Sequence, residues 1–79
     1  MAAAAPETHD FANIWAVHAE REGQPWLRDW AKSENAAKEK LAACQAQDDE
    51  AAETEYWIMQ MTKAELASFV AAGVIPKDA

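Results

Sequence analysis

Between Pro25 and Gly73 the chain contains neither glycine nor proline. These are the residues that most often interrupt regular structure. Alanine, glutamate, lysine and glutamine, all good helix formers, fill much of the interval, and β-branched residues are few. The sequence therefore predicts an all-α protein, a small bundle of three to four helices over approximately residues 9–22, 25–46, 50–60 and 63–72.

Local signals set those bounds. Thr8 or Asp10 can cap a first helix, in which Phe11, Ile14, Trp15 and His18 recur at i, i+3, i+4 and i+7. Gly23 suits the left-handed position that ends a helix, and Pro25 suits the first turn of the next. Trp26, Leu27, Trp30, Ala37, Leu41 and Cys44 then share one face at helical spacing, with Arg28, Ser33, Asn35 and Lys40 opposite. Glu34 and Lys38 form an i,i+4 pair. Asp48 falls where that stripe should continue, so a break is expected near residues 47–50, with Asp48 or Asp49 capping the third helix.

The segment Thr54–Met61 is apolar all round at Tyr56, Trp57, Ile58 and Met59, a pattern that a buried helix and a strand both produce. Helix is the preferred reading. A lone strand leaves its backbone unsatisfied, no second strand candidate stands out, and a strand here would imply pairing with another chain. The last helix is the most fully specified. Thr62 and Glu65 read as a capping box, Met61 and Leu66 as the hydrophobic staple around it, and Gly73 and Pro76 as the stop, with Val74 folding back on Phe69. Residues 1–8 read as a flexible amino terminus, 9–76 as one helical domain and 77–79 as a tail. There is no internal repeat, and no heptad pattern is sustained as a long coiled coil requires.

A chain of 79 residues buries only about 60% of the surface its unfolded form exposes, and domains this small usually need a staple. The single cysteine, Cys44, permits no internal disulfide, and with His9 and His18 it cannot complete a four-ligand zinc site. The run "DDEAAETE" lacks the spacing and glycine of a calcium loop. Glu-x-x-His pairs and glycine-rich phosphate cradles are missing too. Cys44 on an apolar stripe reads as a small buried hydrophobe, and a Cys44–His18 dyad has no motif behind it. The expectation is a protein that is not an enzyme, with no catalytic residues, no cofactor and no metal.

Charge selects among binding partners. Seven basic against fourteen acidic residues give a net charge of −7. That disfavours direct binding of nucleic acid and of anionic membranes, and favours a protein partner with a basic surface. No signal peptide and no membrane-length apolar run is evident, so the expected location is cytoplasmic, with a reduced thiol.

Four tryptophans, Trp15, Trp26, Trp30 and Trp57, are a heavy load for this length. Most can serve as the missing staple, and at least one can serve as a partner-facing anchor. The candidate partner-binding set is Asp48, Asp49, Glu50, Glu53 and Glu55 with Tyr56, Trp57, Trp26 and Trp30: charge to steer, apolar area to hold. The expected function is a small acidic, non-catalytic binding protein that docks on a larger protein machine and inhibits or modulates it, as a monomer or a homodimer. Small inhibitors carried by phages and mobile elements share this profile, including anti-CRISPR-like proteins that occupy nucleic-acid-binding surfaces of defence complexes. The likeness is one of composition and not of motif. The alternative is an accessory or assembly subunit of a larger complex.

Overall fold

The computed structural model describes residues 10–79. The expected flexible stretch 1–8 and the Thr8 cap lie outside them. The architecture is α/β, not an all-α bundle. Strand β1 (Phe11–Arg21) is followed by β2 (Gln24–Ala31), helix α1 (Glu34–Gln47), a short 3-10 turn at Ala51–Glu53, strand β3 (Glu55–Thr62) and helix α2 (Lys63–Ala71). The strands form one antiparallel sheet in the order β2-β1-β3.

Three of the four expected helices are thereby corrected. The segment expected as helix 9–22 is β1, and the segment 50–60 is the 3-10 turn and most of β3. Helix 25–46 is β2 for its first third and α1 for the rest. β3 finds its partner strand, β1, within its own chain, so a strand here does not by itself require another molecule.

The helical spacing in β1 is a coincidence of burial on both faces. Ala12, Ile14, Ala16, Val17 and Ala19 are all buried, so the strand shows no alternation of apolar and polar residues. A central strand covered on both sides reads as a nearly continuous apolar run, and its alanines are buried alongside the larger Ile14 and Val17. Local propensity loses to tertiary burial here.

Gly23 does occupy the left-handed region, at φ 77°, but Glu22 precedes it at φ 54°. Two consecutive positive φ values make the mirror-image two-residue turn whose twist matches a hairpin, not a helix end. Arg21 and Gln24 flank it as the first cross-strand pair.

The sheet separates two small cores. On one face Val17, Ala31 and Ala37 form a buried cluster joined by Trp15, Leu41, Tyr56 and Ile58, beneath α1. On the other, Ala12, Ile14, Ala16, Met61 and Ile75 are buried with Leu66, Phe69 and Val70 of α2. Met61 is only 2% exposed, so truncating it to alanine should cost about 2–5 kcal/mol. The expected stripe Ala37, Leu41 and Cys44 survives on α1, with Ala37 and Cys44 buried. Ser33, expected on the polar face of a longer helix, is instead the N-cap, its Oγ accepting from the Ala36 amide at 3.1 Å.

α2 matches its sequence signals closely. The Thr62 hydroxyl accepts from the Glu65 amide at 3.1 Å, and the Glu65 carboxylate accepts from the Thr62 amide at 2.9 Å. At the other end the Gly73 amide donates to the Val70 carbonyl and the Val74 amide to the Phe69 carbonyl, which completes a Schellman motif. Ile75, not Val74, packs back into the core, and Val74 is exposed.

Glu22 is the residue poorly suited to its backbone, because a side chain with a Cβ pays about 1–2 kcal/mol in the left-handed region. Asparagine tolerates that region better. Glu22→Asn should raise unfolding stability by about 0.5–1 kcal/mol, and Gly23→Val should lower it by more than that. Urea titration of the two variants checks the hairpin assignment, since a helix end would not reward asparagine at residue 22.

Candidate functional site

The sheet register distributes the sequence-selected residues over both faces. Directly paired residues point to the same side. Ala19 pairs with Trp26 and with Tyr56, so those two share the α1 face. His18 pairs with Leu27 and with Trp57, and Glu20 with Pro25 and with Glu55, so these lie on the α2 face.

On the α1 face the end of α1 is tied to the sheet by Asp48. Its carboxylate accepts from Arg21 Nη2 at 3.1 and 3.2 Å, from the Tyr56 hydroxyl at 2.7 Å and from the Glu50 amide at 2.8 Å. Arg21 also bonds Thr54 Oγ1 at 2.9 Å and pairs with Glu50 at 3.1 Å, while its guanidinium lies 5.6 Å from the Trp26 ring centroid. Arg21, Trp26, Asp48, Glu50 and Tyr56 line an open cavity of about 300 Å³ with Arg28, Gln47 and Asp49. The Tyr56 hydroxyl first, and then the Glu50 amide and Arg21, hold the Asp48 carboxyl below its ordinary value of 3.8. Asp48 in turn raises the Tyr56 phenol above its ordinary 10.0. The arrangement fixes a helix end and a hairpin end to one another. Its acids are largely consumed in doing so.

On the α2 face the described elements leave part of the apolar surface uncovered. α2 is nine residues long and packs at the Ala12–Ala16 end. Among the described residues, no helix lies over the hairpin end of this face. There His18 and Trp57 stack, with centroids 5.3 Å apart and planes 22° from parallel. Met59, next along β3, is 55% exposed. Beside them Glu20 and Glu55 are directly opposed across β1 and β3. Like charges in that position destabilise a sheet, and among the described residues neither makes an ion pair.

The nine residues selected from sequence therefore do not form one patch. Asp48, Glu50 and Tyr56 belong to the Arg21 junction, with Trp26 against it and Asp49 at its cavity rim. Trp30 packs partly on the α2-side core, and its ring lies 5.5 Å from the Lys40 ammonium. Trp57 and Glu55 alone reach the open half-face, while Glu53 is exposed in the 3-10 turn. Sequence reasoning missed His18, Glu20 and Leu27 as members of this surface, while Met59 was readable as a soft apolar group beside the acidic run. Strand periodicity in 16–20 and 55–59 was the signal that could have joined them.

Cys44 is buried in α1. Among the described residues, no group of three or more His, Cys, Asp or Glu side chains could hold a metal ion, and no helix is long and apolar enough to cross a membrane. Comparison with protein-family models, with curated proteins and with solved structures gave no match.

The lowered pKa of Asp48 carries a pH signature. The junction contributes fully above the unfolded value of 3.8 and is lost as pH falls through the lower folded value. Asp48→Asn should be less stable than the wild type at neutral pH, and the gap should close below about pH 3.8. Paired thermal melts across that range check it; a gap independent of pH would show that the carboxylate charge is not what the junction uses.

Proposed function

We propose that this chain is a non-catalytic binding protein whose open half-face docks on a basic surface of a larger protein. The observation that carries the reading is the juxtaposition of the stacked His18–Trp57 pair and exposed Met59 with the opposed Glu20 and Glu55. The aromatic and thioether surface supplies adaptable apolar contact. The two carboxylates cost folding stability and gain no ion pair among the described residues, so a cation from outside is the group that would offset them.

A net charge of −7 gives the approach long-range steering toward positive surfaces. Proteins that hold nucleic acid present such surfaces. The specific version of the proposal is an inhibitor that covers the nucleic-acid-binding face of a defence complex. The cytoplasm is the compartment in which that encounter would occur.

The test separates binding from folding by the sign of two effects. Replacing both Glu20 and Glu55 by glutamine should stabilise the isolated chain by about 0.2–1 kcal/mol, because it relieves cross-strand repulsion. The same change should weaken association and flatten its salt dependence. Trp57→Ala should weaken binding by about thirtyfold or more, the scale of a central anchor. Wild type and both variants would serve as parallel baits for a basic protein from the source cell, with affinity then measured on that protein. Equal capture by wild type and Trp57→Ala refutes the assignment of this face.

A further inference from the structure

We infer that two copies of this chain join through the outer edges of β3, in an antiparallel two-fold pairing centred on Ile58 that extends the sheet to six strands. The inference is independent of the docking reading. It rests on which backbone groups each edge strand leaves unpaired.

In an antiparallel sheet, successive residues of the central strand bond alternately to the two neighbours. Three observations fix the alternation in β1. The two-residue turn at Glu22–Gly23 requires its flanking pair, Arg21 with Gln24, to be hydrogen-bonded. Pro25, opposite Glu20, has no amide to give. Trp30, opposite Ala16, has its amide engaged by Asp29 Oδ1 at 2.8 Å and its carbonyl by Lys40 Nζ at 2.8 Å. Ala16, His18 and Glu20 therefore turn their backbone groups toward β3, where they meet Met59, Trp57 and Glu55. The amides and carbonyls of Tyr56, Ile58 and Gln60 point the other way, off an edge that no strand of the described residues pairs.

The two edges of the sheet are treated differently. The β2 edge is blunted by Pro25, by the register shift between Val17 and His18, and by the side chains occupying both Trp30 groups. These are ordinary devices against edge-to-edge association. The β3 edge lacks them along Glu55–Gln60; the register shift of the β1–β3 pairing lies between Phe11 and Trp15, beyond that run. It has no proline, its register with β1 is unbroken from Trp15 to Glu20, and among the described residues no side chain bonds the backbone of Tyr56, Ile58 or Gln60.

A second copy fits that edge in one register best. With Ile58 opposite Ile58, Tyr56 faces Gln60 and all three outward residues of each strand are paired. A register centred on Met59 would instead draw on the Thr62 amide, which Glu65 already holds. The Ile58 register sets Trp57 of each copy beside Met59 of the other, a favourable sulfur–aromatic pairing. It also brings the acid-only run Asp48–Glu55 at the start of one strand toward Lys63 at the end of the other. Both open half-faces then lie on the same side of one continuous sheet.

Sedimentation and residue-resolved hydrogen exchange of the full chain, from micromolar to millimolar, test this. The expected result is a species of twice the 8.7 kDa chain mass, favoured by salt because each copy carries −7. Protection of the Tyr56, Ile58 and Gln60 amides should rise with concentration by about tenfold or more, while the Trp57 and Met59 amides are protected throughout. Ile58→Pro removes the central donor at an edge position and should give a folded monomer; if that variant unfolds, the exchange profile of the wild type decides alone. A monomer at millimolar concentration overturns the inference. So does a dimer whose three edge amides exchange as in the monomer, or edge amides protected equally at every concentration.

Discussion

The structure depends on burial of β1 on both faces. Ala16, Val17 and Ala19 have almost no solvent exposure, and each belongs to a strand with one neighbour on either side. In a chain of 79 residues whose single cysteine permits no internal disulfide, this is how enough apolar surface is removed from water. One central strand shares two thin cores, and α1 and α2 each close one. Burial from both sides, not local propensity, is why an alanine-rich segment here is a strand.

The junctions around that strand divide the labour between rigidity and exposure. Asp48 gathers Arg21, Tyr56 and the Glu50 amide at the hairpin end of the α1 face. It fixes where α1 ends and where β3 begins. Thr62, Glu65 and the Schellman turn at Gly73 hold α2 at the opposite end of the other face. The nine-residue α2 stops short, so one quadrant of the sheet carries aromatic and thioether side chains with no helix of the described residues over them. The proposed docking function grows out of that shortfall together with the acidic pair beside it.

Legibility in the sequence was uneven. α2 was readable because capping boxes and Schellman turns are local: every partner lies within a few residues. The break after Gln47 was readable for the same reason, as was the buried side of α1 at Ala37 and Cys44. β1 and β2 were not. Phe11, Ile14, Trp15 and His18 satisfy a helical template, yet the register of the strand opposite decides which of them are buried. Glu22 hid the hairpin, since a glutamate at positive φ is not among the usual turn residues. With β1 and β2 read as helices, Tyr56–Met59 had no partner strand, and Trp57 could not be placed beside His18.

The amino-acid sequence alone determined the acidity, the lack of an internal disulfide, the end of α1 and the whole of α2, because charge, cysteine count and capping chemistry need no distant contact. Only the tertiary structure decided the sheet. Strand identity, the face on which each tryptophan lies, the conversion of Asp48 from a surface acid into a tether and the open half-face all come from pairings between residues far apart in the chain. Strand hydrogen bonds are made between segments and not within them, so no local window of this sequence contains the information that fixes them.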